Sequence, residues 1–576
     1  MSQQPCEVLV VGAGPSGLTT AHELLRRGIA VRVVDAAAGP APTSRALATH
    51  ARTLEIYDQM GLLSTLLPQG RRIRKFTVHQ NGRRLAALRA DYSELPTRFP
   101  MTVMVDQAIT EKVLRDAVAA LGTRVEWGVR LDSFEQDADG ITAELAHADG
   151  RREQLRTPWL VGCDGGHSLV RKLLGLRLIG ESSETWLIAD AVMDADLDDA
   201  SLHWLRTAEG AMMAVPFPEP GKWRLLDTAE AVYDGDAKAV GERFSRKLTR
   251  ALGSHVTVQE PSWVSVFTIQ QRMINEMRAG RCFVVGDAAH VHSPASGQGM
   301  NTGIQDAYNL AWKLAAVVRG RAADALLDSY PAERVPVGAA LLGSTNRATQ
   351  LIQLRSTVAA LILPVMFGVV RMAPPLQRKI SRKIMRAMSA LDLSYAGSAL
   401  SQAPDASAAA SPAAASDEGP QVGGRVSRLL ESEAEEPGFA ALVAELRDPR
   451  WTLFARVDGD GDRDLWARLD QRQRTWLSVR TVGAPGVKAD GPNPLPDRPA
   501  LSRRLGLTAP GRWLLVRPDG YASAQGDGRD PAALTAALAL ATAGLLTDPL
   551  GDPATGSTSD DRSNDAWTSD STTARS

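Results

Sequence analysis

The sequence predicts a mixed α/β protein with more than one domain, and three observations lead to this expectation. Its 576 residues exceed what one domain usually packs around a single core. Near the N-terminus, an apolar run at residues 7–11 is followed by glycines, a helical stretch that ends at Gly28, and a second apolar run that ends at Asp35. This order predicts a strand–helix–strand unit. Residues 180–270 alternate apolar and polar side chains between Pro and Gly residues, which is typical of an antiparallel sheet.

The composition is that of a globular protein and excludes several classes of function. Apolar residues make up 44% of the chain and charged residues 23%. Basic and acidic residues number 65 and 66, so there is no excess of positive charge for nucleic acid. The three cysteines, Cys6, Cys163 and Cys282, lie far apart and form no CxxC pair. We therefore expect no disulfide framework, no zinc site and a reducing cytoplasmic location.

No segment predicts stable insertion into a membrane. The first strand begins near Cys6 with no basic stretch before it, so we expect no signal peptide. The most apolar later run, Val358–Val370, contains Pro364 and ends at Arg371. It is shorter than the roughly 20 residues that a membrane-spanning helix needs. A buried helix is the expected structure, and a membrane-surface patch is the alternative.

The first motif lies in the turn after the first predicted strand. Gly12 permits a tight turn, Gly14 lets a pyrophosphate approach the backbone, and Gly17 permits close packing of the helix on the strand. The helix N-terminus then offers N–H groups to phosphates. Asp35 ends the next strand, where a carboxylate can bind a ribose 2′-OH and would repel a 2′-phosphate. FAD and NAD both fit this motif, which reads Gly12-Ala13-Gly14-Pro15-Ser16-Gly17.

A second motif favours FAD. Gly286 and Asp287 end the predicted strand FVVGD, and a Gly-rich turn and a long helix follow. A carboxylate at a strand end can accept hydrogen bonds from a ribityl chain, and the helix N-terminus can face the edge of an isoalloxazine ring. The turn and helix start supply further candidate cofactor residues, namely Pro294, Gly297, Gly299, Met300 and Asn301.

A third motif, Asp164-Gly165, lies between the first two, within Cys163–Arg171. The three motifs together carry a resemblance to a known family. The chain resembles the group A flavoprotein monooxygenases, the aromatic-ring hydroxylases related to p-hydroxybenzoate hydroxylase and phenol hydroxylase. The resemblance covers residues 5 to about 340 and continues less strictly towards the C-terminus. It implies a Rossmann-type FAD-binding domain with an inserted antiparallel-sheet substrate domain.

The resemblance also implies roles for individual residues. Asp164 and Gly165 would contact FAD and the passing NAD(P)H, although a β-turn with a helix cap is the structural alternative. Arg45 would lie near the flavin, and Gln107 would form a hydrogen bond with the cofactor. A surface arginine and a glutamine near a helix start are the corresponding alternatives. His290 and His292 flank the Gly-rich turn, where packing and hydrogen bonding are expected instead of metal binding.

The implied reaction uses NADPH or NADH to reduce FAD, and O2 then gives a C4a-hydroperoxyflavin that hydroxylates an aromatic substrate. A phenol or a polycyclic aromatic polyketide is expected, which would place the enzyme in antibiotic biosynthesis. Baeyer–Villiger oxidation or epoxidation is the alternative within enzymes, and a flavin-dependent redox sensor is the non-enzymatic one. Because the cofactor performs the chemistry, no catalytic acid or base is assigned.

The C-terminal region resembles the thioredoxin-fold domain of phenol hydroxylase and polyketide hydroxylase relatives, through the segment Arg517–Ser523. It contains no cysteine, so thiol–disulfide exchange is excluded and a structural or dimer-contacting role remains. The whole protein is expected to be a monomer or a homodimer. The expected divisions are a FAD-binding domain at 1–75, 100–180 and 272–345, a substrate domain at 76–99 and 181–271, a helical region at 346–403, a linker at 404–420, a thioredoxin-like domain at 421–550 and a disordered tail at 551–576.

The inserted sheet is expected to fold over the flavin, because the cofactor motifs lie on both sides of it in the sequence. The substrate pocket is therefore expected between residues 180–270 and the turn at 294–301. Ligand pockets are mostly apolar with a few polar groups. The residues expected on the inward face are Met212, Met213, Val215, Phe217 and Trp223.

Overall fold

A computed structural model describes most of the chain. The described residues are 6–42, 46–89, 95–207, 209–292, 297–352, 374–402, 419–483, 491–496, 498–527 and 530–545. The apolar run Val358–Val370, most of the expected linker and the expected disordered tail lie outside them. Within these ranges, no helix has both the length and the apolar character needed to cross a bilayer.

A six-stranded sheet forms the centre of the N-terminal half. Its strands are parallel except for the short edge strand Arg278–Ala279, which pairs antiparallel with its neighbour. The strands are almost wholly apolar because both faces of the sheet are covered. The spatial order is Arg278–Ala279, Cys282–Val284, Trp159–Gly162, Val8–Val11, Val31–Asp35 and Val125–Trp127.

Helices cover one face of this sheet, and a small antiparallel sheet covers the other. The helical face consists mainly of Pro15–Leu25, Gln107–Ala120 and Gly299–Val318, which share one hydrophobic core with Val8 and Val33. The opposite face packs Leu9 and Val11 against a three-stranded sheet. Its strands are Val129–Gln136, Ile141–His147 and Arg152–Thr157. The resulting layers are those of a dinucleotide-binding α/β domain.

The inserted region forms a second, mostly antiparallel sheet of nine strands. Strand Lys75–Gln80 pairs parallel with Ser201–Thr207, so the segment near residue 80 joins the same sheet as residues 179–273. The order is His290–Val291, Trp263–Met273, Ile179–Asp194, Lys222–Asp227, Gly210–Pro216, Ser201–Thr207, Lys75–Gln80 and Arg83–Arg89, with Thr257–Val258 paired to Ile179–Asp194.

The two faces of this sheet pack against different partners. One face packs against helix Ala237–Leu252. The other packs against Ile73 and Met104 of the small sheet next to the FAD-binding motifs, and against Leu47, which directly precedes that sheet. That small sheet consists of Ala48–Thr49, Thr102–Met104 and Arg71–Ile73.

The strand alternation corrects one expectation about the pocket wall. Met213, Val215 and Phe217 share a hydrophobic core with residues of the small sheet. Met212 and Trp223 belong to the core under helix Ala237–Leu252 instead. Successive side chains of a strand point to opposite faces, so Met212 and Met213 cannot both face inward.

The C-terminal region has the thioredoxin fold that the resemblance implied. Strands Trp451–Val457 and Leu477–Gly483 are parallel and joined by helix Asp460–Gln473, whereas Arg512–Val516 and Ala522–Asp527 add antiparallel strands. Helix Pro531–Ala541 follows. The remaining helices of the described chain are Ala51–Gln59, Leu63–Leu66, Leu67–Gln69, Leu169–Leu173, Gly286–Ala288, Asp324–Asp328, Ser329–Ile352, Pro374–Ser389, Pro437–Glu445 and Pro499–Leu505.

Candidate cofactor site

The glycines of the first turn are required by the close approach of backbone segments. Gly12 has a φ of +104°, and a Cβ there would lie 2.3 Å from the carbonyl oxygen of Cys163. A Cβ on Gly17 would lie 1.9 Å from the carbonyl oxygen of Gly12. A Cβ on Gly14 would meet no other atom within 4 Å, so this position faces open space. Helix Pro15–Leu25 begins here without a side-chain cap, which leaves its first N–H groups for an anion.

Asp35 orders the glycine turn in addition to any contact with a ribose. Its Oδ2 accepts a hydrogen bond from the backbone N–H of Ala13 at 2.7 Å, and its Oδ1 accepts one from Ala37 at 2.8 Å. The carboxylate is therefore fixed beside the turn by backbone donors. A carboxylate accepts up to about four hydrogen bonds, so these two leave room for a hydroxyl donor.

Asp164 caps a helix, which is the alternative that the sequence left open. Its Oδ1 lies 2.5 Å from the Ser168 hydroxyl, and its Oδ2 accepts from the N–H groups of Leu169 and Val170 at 2.6 and 3.1 Å. These contacts fix the start of helix Leu169–Leu173. Gly165 follows with a φ of +73°, a conformation that L side chains rarely adopt.

Gly286 brings the second motif directly against the first. Its φ is +63°, and a Cβ there would lie 2.5 Å from the Ser16 hydroxyl oxygen. Asp287 is exposed, and its Oδ1 lies 3.9 Å from the position that a Cβ of Gly299 would occupy. The Asp287 carboxylate thus lies at the start of helix Gly299–Val318.

Asn301 holds the start of helix Gly299–Val318 against strand Ala48–Thr49. Gly297, just before this helix, has a φ of +62°. The buried amide of Asn301 donates to the carbonyls of Ala48 and Gly297, both at 2.8 Å, and accepts from the N–H of His50 at 2.9 Å. Its side chain therefore has a structural role in shaping the turn. Met300 is half-buried and packs against the main core.

Gln107 contacts a neighbouring loop. Its Oε1 accepts from the N–H of Ala46 at 3.1 Å, and its Nε2 donates to Glu111 at 2.8 Å. Burial raises the pKa of Glu111, although its hydrogen bond with Gln107 opposes this. Arg45 and Pro294, which were also expected at the site, lie outside the described residues.

Arg171 was not singled out as a site residue, although it ends the Asp-Gly motif. Its buried guanidinium donates to the carbonyl of Ala288 at 3.0 Å and to the carbonyl of Gly166 at 3.1 Å. These two carbonyls belong to the two motifs that lie more than 100 residues apart in the chain. Arg171 therefore fixes their relative position, and its place at the end of the motif was the available signal.

A buried polar network lies behind the Gly286 turn; hydrogen bonding by its two histidines was expected from the sequence, whereas its members Asp306 and Arg334 were missed. Nε2 of His290 lies 2.5 Å from Asp306, and Nε2 of His292 lies 2.8 Å from Nδ1 of His290. Arg334 donates to the other oxygen of Asp306 at 2.6 Å. Burial would raise the pKa of Asp306, but the charges of Arg334 and His290 outweigh burial and lower it. Burial, together with His290, lowers the pKa of His292 to about 3.

This network explains the histidine pair. Both histidines take part in hydrogen bonding, since Asp306 reaches His290 and His290 contacts His292. The Arg334 guanidinium occupies the remaining oxygen of that carboxylate. Across the described parts of the chain, no three His, Cys, Asp or Glu side chains come together as a metal site.

The arrangement fits FAD by the chemistry of its donors. Backbone N–H groups at a helix start and the open space at Gly14 suit a pyrophosphate. The Asp35 and Asp287 carboxylates suit ribose and polyol hydroxyls, respectively. Ser16 of the first motif and Gly286 of the second, which are far apart in sequence, come together at one edge of the central sheet.

Comparison with known proteins identifies the family. A family model described as "FAD binding domain" matches residues 5–345. The chain is 49% identical over 532 residues to 6-methylpretetramide 4-monooxygenase of Streptomyces rimosus, covering 92% of this chain and 93% of that protein. It is 35% identical to pentachlorophenol 4-monooxygenase of Sphingobium chlorophenolicum, covering 60% of this chain and 64% of that protein.

Among solved structures, an anhydrotetracycline hydroxylase from Streptomyces rimosus matches with a TM-score of 0.70 and 28% identity, covering 94% of this chain and 99% of that one. A ternary complex of aklavinone-11 hydroxylase with FAD and aklavinone matches with a TM-score of 0.70 and 25% identity, covering 94% and 100%. The chain therefore belongs to the FAD-binding family of these hydroxylases, and it is a flavin-dependent monooxygenase with FAD as its cofactor.

Proposed function

We propose that this monooxygenase hydroxylates a polycyclic aromatic polyketide, with NADPH or NADH as the reductant. The observation that carries this proposal is the 49% identity to 6-methylpretetramide 4-monooxygenase over nearly the whole of both chains. The substrate region and the C-terminal domain are included in that match, beyond the part that binds the cofactor. Since the relative's name includes its substrate, 6-methylpretetramide is the first compound to test.

FAD would be bound by residues of all three motifs, and when bound it supplies the redox and oxygen-activating chemistry. The helix start after Gly14 would face the pyrophosphate, Asp35 a ribose hydroxyl, and Asp287 the ribityl chain. Arg171 and Asn301 would act indirectly, since their side chains fix the backbone of the turns. Arg45, Gln107 and the turn at Pro294 remain candidates for further contacts.

The substrate would bind along the face of the nine-stranded sheet that carries Met213, Val215 and Phe217. This face is apolar and continues to Leu47 and Met104, which flank the cofactor region. Such a wall suits fused aromatic rings, because burying apolar surface favours association. The hydroxylation requires no protein nucleophile. The apolar face would orient the aromatic ring of the substrate and exclude water.

One buried ion pair interrupts this apolar face. Arg224 contacts Asp190 through two hydrogen bonds of 2.8 Å, and its guanidinium lies 5.2 Å from the ring of Phe217 and 5.4 Å from that of Trp263. We propose that this pair orients oxygen substituents of the substrate. A few polar groups in an apolar pocket are what fix the orientation of a ligand.

The proposal is tested by NADPH and NADH oxidation in the presence of 6-methylpretetramide and other aromatic polyketides. A substrate that stimulates oxidation and gains one oxygen on an intact ring supports hydroxylation. A ring-expanded lactone or an epoxide would instead show that the enzyme catalyses Baeyer–Villiger oxidation or epoxidation. A lack of stimulation by every aromatic polyketide tested would contradict the substrate class.

We propose the domain division given by the sequence as the working description, with the FAD-binding domain interrupted by the substrate domain. Strand Lys75–Gln80 pairs with Ser201–Thr207, which supports a substrate domain built from two segments. We also propose that the protein acts in the cytoplasm as a monomer or homodimer. The three cysteines of the described chain are free thiols, which suits a reducing compartment.

A further inference from the structure

A continuous series of buried contacts leads from the Gly286 turn to the C-terminal domain. It begins at Asp306, whose Oδ2 lies 2.5 Å from His290 and 3.4 Å from the backbone nitrogen of Gly286. One carboxylate thus contacts both ends of the turn that carries Asp287. The orientation of this carboxylate therefore affects the backbone on both sides of Asp287.

Arg334 orients that carboxylate from the neighbouring helix, Ser329–Ile352. Its Nε donates to Oδ1 of Asp306 at 2.6 Å, and its Nη1 donates to the Tyr395 hydroxyl at 3.0 Å. All three side chains are buried. Because a guanidinium is planar and rigid, the position of the Tyr395 hydroxyl influences the direction in which Nε points.

Tyr395 is in turn fixed by the C-terminal domain. Its ring lies 4.8 Å from the guanidinium carbon of Arg517 and 4.6 Å from the ring of Tyr521. Both residues belong to the segment Arg517–Ser523, which carried the resemblance to thioredoxin-like domains of related hydroxylases. That segment therefore contacts the helical region directly, and it also contacts the FAD-binding domain, where Arg52 donates to the carbonyl of Asp519 at 2.9 Å.

Arg517 is fastened to the same helix as Arg334. It donates to both carboxylate oxygens of Glu333, at 2.6 and 2.9 Å, and to both oxygens of Asp519, at 2.9 and 2.6 Å. Glu333 also accepts from Lys313 of helix Gly299–Val318 at 2.8 Å. Buried polar networks of this kind fix one arrangement of the domains, since any other arrangement leaves charges unpaired.

We propose that Arg334 and Tyr395 are positioning residues for the FAD site, through which the C-terminal domain fixes the turn that carries Asp287. This gives the cysteine-free thioredoxin-like domain a function in shaping the cofactor site. The inference rests on the placement of FAD at this turn, which the Asp287→Ala variant in the Discussion tests separately. It does not depend on the identity of the substrate.

The test compares two variants of the full-length protein that each remove one buried hydroxyl at the domain interface. Tyr395→Phe removes the hydroxyl that contacts Arg334. Ser427→Ala removes a hydroxyl that donates to Glu55 at 3.0 Å, at a different point of the same interface. The measurements are FAD affinity by titration of the apoprotein, the visible absorption spectrum and midpoint potential of the bound flavin, and the thermal unfolding temperature.

We expect Tyr395→Phe to weaken FAD binding about fivefold, as the partial loss of one charge-assisted hydrogen bond predicts, and to shift the flavin spectrum or potential. Ser427→Ala should leave the FAD affinity and the spectrum and potential of the flavin unchanged, even if the unfolding temperature of this variant falls. Wild-type FAD affinity together with an unchanged flavin spectrum and potential in Tyr395→Phe would overturn the proposal. Equal changes in both variants would also overturn it, because they would indicate general loosening of the interface.

A third variant covers the case in which Tyr395→Phe does not fold. Arg334→Lys keeps the positive charge beside Asp306, but a single ammonium cannot reproduce the fork that contacts Asp306 and Tyr395 together. We expect the same loss of FAD affinity and the same change in the flavin spectrum. Wild-type affinity and spectrum in Arg334→Lys would contradict the positioning role.

Discussion

Arg171 donates a hydrogen bond from Nη1 to the backbone carbonyl of Ala288 at 3.0 Å, across 117 positions of sequence. The other arm of the same guanidinium contacts Gly166 at 3.1 Å. The motif at Asp164-Gly165 and the motif at Gly286-Asp287 are therefore joined through one buried side chain. The cofactor site consists of turns whose relative position depends on such side chains as much as on the motifs themselves.

Replacing Arg171 by lysine should therefore weaken FAD binding. An ammonium keeps the charge but cannot contact both carbonyls, so we expect a loss of about 1.5–3 kcal/mol in stability and at least about a tenfold loss of FAD affinity. Arg281→Lys is the matched control, since Arg281 is a half-buried arginine whose Nε and Nη2 both donate to the carbonyl of Ala138 and whose guanidinium lies 4.9 Å from the Trp159 ring, so it joins no two motifs. FAD titration and urea unfolding measure both effects. Equal FAD affinity in the two variants would contradict the bridging role.

The two acidic motif residues should have separable effects. Asp164 caps a helix, so Asp164→Ala should lower the stability of the apoprotein by about 1–2 kcal/mol. Asp287 is exposed, so Asp287→Ala should leave apoprotein stability nearly unchanged while FAD affinity falls. Urea unfolding of the apoprotein and FAD titration separate the two. Full retention of FAD by Asp287→Ala would show that the flavin does not bind at this turn.

The two faces of the inserted sheet provide a test of the substrate pocket. Met213→Ala and Phe217→Ala should raise the KM for the aromatic substrate, or uncouple NADPH oxidation from product, while FAD stays bound. Met212→Ala removes an equally buried side chain on the opposite face and should cost about 2–5 kcal/mol of stability without uncoupling. Steady-state kinetics with product quantification decide the question. Wild-type KM and coupling in both pocket variants would move the substrate to another site, with residues 76–99 as the next candidate.

Stability should decrease on acidification because of buried histidines of the inserted sheet. Burial and the neighbouring His203 lower the pKa of His79 to about 4, from an ordinary value near 6.5. The unfolded chain therefore binds more protons between these values, so the free energy of unfolding falls as the pH drops from 6.5 towards 4. We expect His79→Gln to reduce this slope and His255→Gln, at an exposed site, to leave it unchanged. Identical slopes in wild type and His79→Gln, measured by urea unfolding from pH 7 to 4.5, would refute the assignment.

The sequence predicted the parts of the fold that depend on local patterns and short motifs. The turn at Gly12 and the second motif at Gly286 were predicted because each has a local requirement for residue type, whereas the cysteine-free thioredoxin-like fold was predicted only through the resemblance of Arg517–Ser523. Glycine is needed where φ is positive, as at Gly12 and Gly286. FAD as the cofactor followed from these motifs and from the resemblance they carried.

The sequence did not predict features that depend on contacts between distant segments. Met212 and Trp223 were assigned to the pocket because they are apolar and nearby, but strand register places them on the opposite face. Asp306, Arg334 and Arg517 each lie in helices or turns without a recognisable motif for their partners. Their roles follow only from the packing of the domains, which no local pattern encodes.

Reaction with labelled oxygen is the most direct test of the central claim. The purified FAD-loaded protein is supplied with NADPH, 6-methylpretetramide or a related aromatic polyketide, and ¹⁸O2, and the product is analysed by mass spectrometry and NMR. The account predicts one ¹⁸O atom in the product, attached as a hydroxyl to an intact ring. A product without ¹⁸O, or NADPH consumption that yields only hydrogen peroxide with every aromatic polyketide supplied, would contradict it.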